Sequence, residues 1–211
     1  MTLFLALLVV AIFVIPVAAP TLGDGGRAVV EVFFLLILLS GAWAIAEHRA
    51  AAILVAFLCA GALAITVLAP IWLGGGASMV RLVGAFAGVL VLAAVIAMKV
   101  FAPGRITTDR IMGAVALYLT LGVAWGNAYE IVALLDHHAF AGASDAKSGV
   151  ERWFYFSFVT LTTVGYGDIT PASRVAQALA ISEALVGQLY PAIILARLVT
   201  LHATPNTGGR A

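Results

Sequence analysis

The 211-residue chain is 64% hydrophobic and 10% charged, with a formal net charge of +1 and a mean hydropathy of +1.13. A soluble domain of this size cannot hide so much apolar surface, because its outer layer must be largely polar. The composition therefore predicts an integral membrane protein in contact with lipid, and the near-neutral charge argues against a nucleic-acid partner.

Polar breaks divide the chain into six long apolar stretches and one short one. Each long stretch has roughly 18–27 residues, enough to cross a hydrocarbon core of about 30 Å at about 1.5 Å per residue. We therefore expect an all-α integral membrane fold with six transmembrane helices per subunit. The predicted spans cover approximately residues 2–19, 28–46, 50–69, 80–101, 111–135 and 175–201.

The first stretch has an alternative interpretation as a secretory signal. Val17-Ala18-Ala19 resembles a cleavage site, but no Lys or Arg precedes the apolar run, and the run is long for a signal core. We favour a first helix that is retained in the mature protein.

The segment between the fifth and sixth spans differs from the rest. Asp136 to Gly149 is polar and rich in small residues, which predicts a solvated loop. Residues 151–162 are apolar but too few to cross a bilayer, and Ser148 and Glu151 have the spacing of a capping box. We expect a re-entrant helix here. Irregular backbone can follow it at membrane depth only where protein buries it or it lines a watery cavity.

This short helix leads into Thr163-Val164-Gly165-Tyr166-Gly167, followed by Asp168. The run from Thr160 to Asp168 resembles the filter signature of prokaryotic potassium channels, in which TVGYG carbonyl oxygens replace the hydration shell of K⁺. The order of span, outer loop, short helix, signature and span agrees with that family. The resemblance covers roughly residues 105–201 and implies a re-entrant pore helix and a selectivity filter between the fifth and sixth helices.

The resemblance also implies a ligand and an assembly. The carbonyls of Thr163, Val164, Gly165 and Tyr166 would bind K⁺ as the permeant ion, and we expect no other cofactor or metal. Carbonyls that all point inward need unusual backbone angles at alternate positions, which Gly165 and Gly167 adopt without steric cost. One chain supplies one strand of the filter, so we expect a homotetramer around a fourfold axis.

Support for the filter is expected from Thr162, Asp168 and Tyr155. Many related filters carry an acidic residue in the pore helix that pairs with the aspartate, but here Val159 occupies that position. Tyr155 could donate to Asp168 instead. Alternatively, it is a residue of the aromatic belt at the membrane interface.

The last span carries a candidate hinge, because Gly187 and Pro191 lie four residues apart. Proline at 191 removes the hydrogen bond to the carbonyl of residue 187 and favours a kink. We interpret the pair as the hinge of an intracellular gate, with a static kink that serves packing as the alternative. By resemblance, Gln188 and Leu195 face the cavity or its lower entrance.

Glu183 is a carboxylate within the last span, which is costly and therefore indicates a functional group. Two interpretations stay open. It bonds to the back of the pore helix through Ser157 or Thr160, or it faces the cavity and attracts cations.

The chain is expected to divide into a four-helix membrane region of unknown role at 1–104, a pore domain at 105–201 and a short cytoplasmic tail at 202–211. The fourth span has no charged residue between Leu82 and Met98. A voltage sensor needs several charges there, since each supplies only about 2.3 kcal/mol per 100 mV. We predict no sensor of that type. Lipid, tension, pH or a separate gating partner remain open as stimuli.

The sequence therefore predicts a potassium-selective channel with passive conduction, multi-pass in the plasma membrane and, by resemblance, in a bacterial inner membrane. The alternatives are a weakly selective cation channel and a non-conducting or transporter-associated potassium subunit. An enzyme is not expected, since the spans hold no HExxH, GxSxG or paired aspartates.

Overall fold

The computed structural model describes residues 1–14, 61, 77–103, 107–142 and 150–203. Nearly all of these residues are helical. The helices are α1 (Thr2–Val9), continued by a π-helical turn (Val10–Val14), α2 (Ala77–Phe101), α3 (Thr108–Leu135), α4 (Val150–Leu161) and α5 (Arg174–Ala203). Two short strands are β1 (Phe140–Ala141) and β2 (Thr170–Pro171).

Among the described residues, three helices are long and apolar enough to cross a membrane: α2, α3 and α5. They correspond to the predicted fourth, fifth and sixth spans. The predicted second span lies outside the described residues, as do the third span except for residue 61, the proposed boundary near residue 104 and the end of the tail. The first predicted span is described only as far as Val14.

One apolar core lies where α1, α2 and α3 meet. Phe4 and Leu8 of α1 are buried there against Leu92 and Ile96 of α2 and Leu117 of α3. Burial of large side chains of this kind stabilises a fold by about 1.5–3 kcal/mol each in water, but in lipid the gain comes from close packing. The helix that precedes the predicted pore domain therefore packs directly against it.

The outer loop corrects one sequence-based expectation. Asp136 to Gly149 was expected to be solvated, but Ala139 and Phe140 are buried. β1 pairs antiparallel with β2, so that Phe140 lies opposite Pro171 and Ala141 opposite Thr170. The physical reason is that Phe140 has aromatic partners beneath it, which a polar composition does not reveal. The start of the loop is thus joined to the segment that follows Asp168.

Candidate functional site

The short helix α4 lies in a groove made by two glycines of α3. A Cβ atom built on Gly126 would be 2.3 Å from Cδ1 of Phe154, and one built on Gly122 would be 2.7 Å from Cε1 of Phe158. Glycines four residues apart form one flat strip on a helix and allow another helix to approach closely. This groove sets the distance between α3 and the helix that carries the signature.

An aromatic cluster holds the other side of α4. Phe140 contacts Trp153 at 4.7 Å and Phe156 at 5.5 Å between ring centroids. Tyr129 of α3 packs edge-on against Phe156 at 4.8 Å. Such pairs add about 0.5–1.5 kcal/mol beyond the area that they bury. The cluster therefore fixes α4 against both α3 and the outer loop.

The backbone of the signature segment, Thr163–Gly167, alternates in conformation. Thr163, Gly165 and Gly167 have φ values of 59°, 60° and 79°. The two glycines were expected at such angles, but the threonine was not. A threonine in the left-handed region is strained and persists only where the surroundings hold it.

Backbone hydrogen bonds connect the signature segment to the end of α4. The N–H groups of Val164 and Gly165 donate to the Val159 carbonyl at 3.0 and 3.3 Å, and that of Thr163 donates to the Thr160 carbonyl at 2.9 Å. Val159, the residue that replaces the usual acid, thus serves the segment through its backbone. These bonds orient the peptide planes of the first part of the signature.

The side chains at the far end of the signature lie beside Tyr155. Its ring stacks on that of Tyr166, with centroids 6.5 Å apart and planes 6° from parallel. Its hydroxyl donates a hydrogen bond to Asp168. The structure therefore brings together the two residues that the sequence suggested as donor and acceptor.

Gly142 connects the outer loop to the same place. Its φ is +78°, and a Cβ atom there would be 2.0 Å from the Asp168 carbonyl oxygen. Both the left-handed backbone and the close approach require glycine. His137 and His138, also in this loop, are exposed. The described residues hold no group of three or more His, Cys, Asp or Glu that could bind a metal ion.

Glu183 faces the back of α4. Its side chain is 0% exposed, and its Oε1 atom lies 2.5 Å from Ser157 Oγ. The Tyr129 hydroxyl contacts its Oε2 atom. Thr160, the other candidate partner, bonds instead to the Phe156 carbonyl of its own helix at 2.8 Å. Of the two interpretations, the geometry agrees with the bond to the back of the helix.

Gly187 of α5 lies against the end of α4. A Cβ atom built there would be 1.9 Å from the Leu161 carbonyl oxygen, which also accepts a hydrogen bond from the Tyr118 hydroxyl at 3.2 Å. Close approach alone thus accounts for glycine at this position. α5 continues as one helix through Pro191, and the hinge stays a prediction.

Comparison with known proteins assigns a family to this part of the chain. A family model described as Ion channel matches residues 113–203, from α3 to the end of α5. Protein LctB of Bacillus caldotenax is 36% identical over 107 residues, which are 48% of this chain and 79% of that protein. The chain belongs to this ion channel family. LctB of Geobacillus stearothermophilus is similar at 34% identity over 106 residues, or 78% of its length.

A plant protein also matches this chain, over a shorter stretch. Two pore potassium channel c of Oryza sativa subsp. japonica is 48% identical over 77 residues, 35% of this chain and 17% of that protein. No solved structure gives a significant match. A family of channels, together with three apolar helices of spanning length among the described residues, makes this chain a membrane protein and argues against an enzyme.

Two arginines connect α2 to α3 and α5. Arg197 of α5 donates to the carbonyls of Val100 and Ala102, each at 2.9 Å, and its guanidinium lies 5.3 Å from the centre of the Phe101 ring. Arg110 of α3 donates to Ala102 at 2.8 Å. Cations at a helix C-terminus satisfy its free carbonyls and its dipole. Side chains of both α3 and α5 thus cap α2.

Sequence reasoning missed several of these contributors, among them Tyr129, Gly122, Gly126 and Arg197. A signal was available for two of them. Gly122 and Gly126 form a GxxxG pattern within an apolar span, which indicates a close helix contact. Tyr129 and Arg197 became interpretable only when the structure showed which acid and which helix end they face.

Proposed function

We propose that this chain is one subunit of a potassium-selective channel, in which four signature segments surround one axis and conduct K⁺ passively. The observation that carries the proposal is the backbone of Thr163–Gly167. Its alternate left-handed residues and its bonds to Val159 suit a ladder of carbonyl oxygens.

The orientation of those oxygens follows from the planar trans peptide. The N–H of one residue points opposite to the carbonyl of the residue before it. Because the Val164 and Gly165 N–H groups point to the Val159 carbonyl, the carbonyls of Thr163 and Val164 point away from α4. Oxygens on that side of the strand are free to replace the water around a cation. Gly165 and Tyr166 are proposed to continue the same row.

The surface of α5 supports assembly into an oligomer. Only 11% of its span is buried inside the single chain, against 50% for α3. The exposed residues include an amide, Gln188, which would be costly to place in lipid. We propose that the stripe containing Gln188 faces a water-filled cavity shared by four subunits. The stripe consists of Ile181, Leu185, Gln188, Ala192 and Leu195.

Two exposed side chains of the proposed filter would need to pack against a neighbouring subunit. Val164 is 52% exposed and Tyr166 71% exposed in the single chain. In a ring of four, each such side chain points away from the axis and can pack on the next subunit. Thr162, Tyr155 and Asp168 are proposed to support the filter from outside, and α4 to enter the membrane without crossing it. The hinge at Gly187 and Pro191 remains part of the proposal.

Potassium is the proposed ion for two reasons. A plant relative is named as a potassium channel, and the signature is intact at Tyr166 and Gly167. A weakly selective cation channel typically departs from the signature at those two positions. A transporter subunit usually carries four diverged loops, whereas this chain carries one complete signature. The proposed place is the plasma membrane, and in a bacterium the inner membrane.

The test is purified protein in a planar bilayer under opposed potassium and sodium gradients. We expect a reversal potential near the potassium value and block by barium, which resembles potassium in size. A reversal potential near zero would favour the weakly selective alternative. Absence of any current from a correctly assembled protein would favour the non-conducting or transporter-associated one.

Gly165→Ala tests the backbone itself. A Cβ at this position meets no atom within 4 Å of the same chain, but φ is +60°. The substitution therefore strains the left-handed backbone by about 1–2 kcal/mol without a clash. We expect loss of selective current with the oligomer retained. Gly88→Ala is the matched control, because a Cβ there also meets nothing within 4 Å and no positive φ is involved.

A further inference from the structure

The cluster around Glu183 contains more acceptors than hydrogens unless the acid itself carries one. The carboxyl group is completely buried where α5 meets α3 and α4. Ser157 Oγ lies 2.7 Å from the Gly122 carbonyl oxygen and 2.5 Å from Glu183 Oε1. Both distances require a hydrogen between the two oxygens, since bare oxygens so close would repel each other.

Counting hydrogens decides which group supplies each one. A carbonyl oxygen can only accept, so the Ser157 hydroxyl must give its single hydrogen to Gly122. The hydrogen between Ser157 and Glu183 must then come from the carboxyl group. The Tyr129 hydroxyl donates to the other carboxyl oxygen, which is what the carbonyl oxygen of a neutral acid accepts.

We propose that Glu183 is a proton-binding site, held as a neutral carboxylic acid that donates to Ser157 and accepts from Tyr129. The resulting chain runs from Tyr129 through Glu183 and Ser157 to the Gly122 carbonyl, with every donor used once. This proposal rests on the hydrogen-bond geometry and not on the selectivity of the channel. It joins all three helices of the matched region at one point.

The groups that face the Glu183 carboxyl are consistent with its neutral form. From α3 it is faced by Tyr129 and, farther away, by Tyr118. From α4 it is faced by the Ser157 hydroxyl. Within the part of the chain that the structure describes, no cation pairs with Glu183. A buried carboxylate without a cation or solvent is costly and takes up a proton instead.

Loss of this proton would turn an attractive contact into a repulsive one. The ionised carboxylate could only accept, so either Ser157 would leave Gly122 or α5 would move from α4. The proton is lost as pH rises, and therefore alkaline conditions are expected to loosen α5 from the helix that carries the signature. A proton thereby acts as a ligand that holds α5 against α4.

Infrared spectroscopy of the purified full-length protein in lipid tests the proposal directly. At neutral pH we expect a carbonyl-stretch band of a protonated carboxyl group that shifts in heavy water and is lost in Glu183→Gln. The band should persist in Glu130→Gln, the matched control in α3. If the neutral-pH spectrum shows no protonated carboxyl band that Glu183→Gln removes, the proposal is overturned.

A second measurement is the pH dependence of the oligomer's thermal stability, which an acid that binds no proton would not produce. Glutamine offers one N–H donor to Ser157 and one carbonyl to Tyr129, so Glu183→Gln should retain the thermal stability of the oligomer and lose its alkaline sensitivity. Unchanged alkaline sensitivity would contradict the proposal. If Glu183→Gln does not assemble, Ser157→Ala is measured: the acid band should remain and move to higher frequency, and an absent or unmoved band overturns the assignment.

Discussion

Gly187 and the Leu161 carbonyl oxygen are in such close contact that a Cβ atom at position 187 would lie only 1.9 Å from that oxygen. The contact joins the middle of α5 to the last residue of α4. Leu161 is one residue before Thr162 and two before the signature segment. A shift of α5 at Gly187 therefore reaches the backbone from which the signature starts.

We predict that Gly187→Ala destabilises the protein although alanine favours helices. Replacing glycine in a helix normally gains about 1 kcal/mol, but overpacking against rigid backbone costs about 1–3 kcal/mol or more. The opposing atom is a carbonyl oxygen, which cannot turn aside like a side chain. Thermal unfolding of the oligomer in detergent measures the loss.

Gly88→Ala in α2 is the control for that measurement, because a Cβ there meets nothing within 4 Å. It should be neutral or slightly stabilising. If Gly187→Ala behaved like Gly88→Ala, the close contact would not exist, and flexibility would remain as the reason for glycine at 187.

The groove on α3 can be tested by a substitution that lowers stability and a second substitution that restores part of it. Gly126→Ala should destabilise by about 1–3 kcal/mol, since its Cβ would be 2.3 Å from the Phe154 ring. Here the opposing atom belongs to a side chain that can be made smaller. Phe154→Leu in the Gly126→Ala background should therefore recover part of the loss.

A double-mutant cycle over these two positions isolates their coupling. We expect a coupling energy of about 1 kcal/mol or more. Additive losses from the two single substitutions would mean that Phe154 does not occupy the Gly126 groove.

How far the sequence predicts this structure depends on the kind of feature. Apolar run length was enough to predict α3 and α5 closely, and the signature string located the end of α4, because these are local properties. The bond of Tyr129 to Glu183 joins residues 54 positions apart, and no periodicity tells which faces of α3 and α5 will meet. Phe140 was missed for the same reason, since its partners lie on other elements.

Tyr155 and Asp168 predict a link between the outer end of the signature and ion binding. Tyr155→Phe keeps the ring that stacks on Tyr166 but removes the hydroxyl that bonds to Asp168. With that bond lost, the segment should depend more on bound K⁺ for its order. We expect the K⁺ concentration that protects the oligomer from heat to rise, because a ligand stabilises the state that it binds.

Tyr190→Phe is the matched control for Tyr155→Phe. It also removes one hydroxyl bond, to the Ala114 carbonyl at 2.8 Å, but away from the signature. It should lower stability by the same amount in potassium and in sodium. A Tyr155→Phe protein with unaltered K⁺ dependence would show that the Asp168 bond does not support ion binding.

From the contacts of Arg197 we predict that α2 helps to fix the position of α5. Its guanidinium reaches two carbonyls at the end of α2 and the face of Phe101. Hydrogen bonds from a charged group contribute about 1.5–3 kcal/mol, so Arg197→Gln should lower stability by about 2 kcal/mol. Arg197→Lys should recover only part, because a single ammonium cannot reproduce the two-pronged donor and the stacking.

Arg174→Gln supplies the comparison, since Arg174 begins the same helix at an exposed position. It should leave stability nearly unchanged. In bilayer recordings, Arg197→Gln should also change the fraction of time that the channel is open, because α5 is released from α2 at one end. If the two variants had equal stability and equal open fractions, the contact between Arg197 and α2 would contribute neither to stability nor to channel opening.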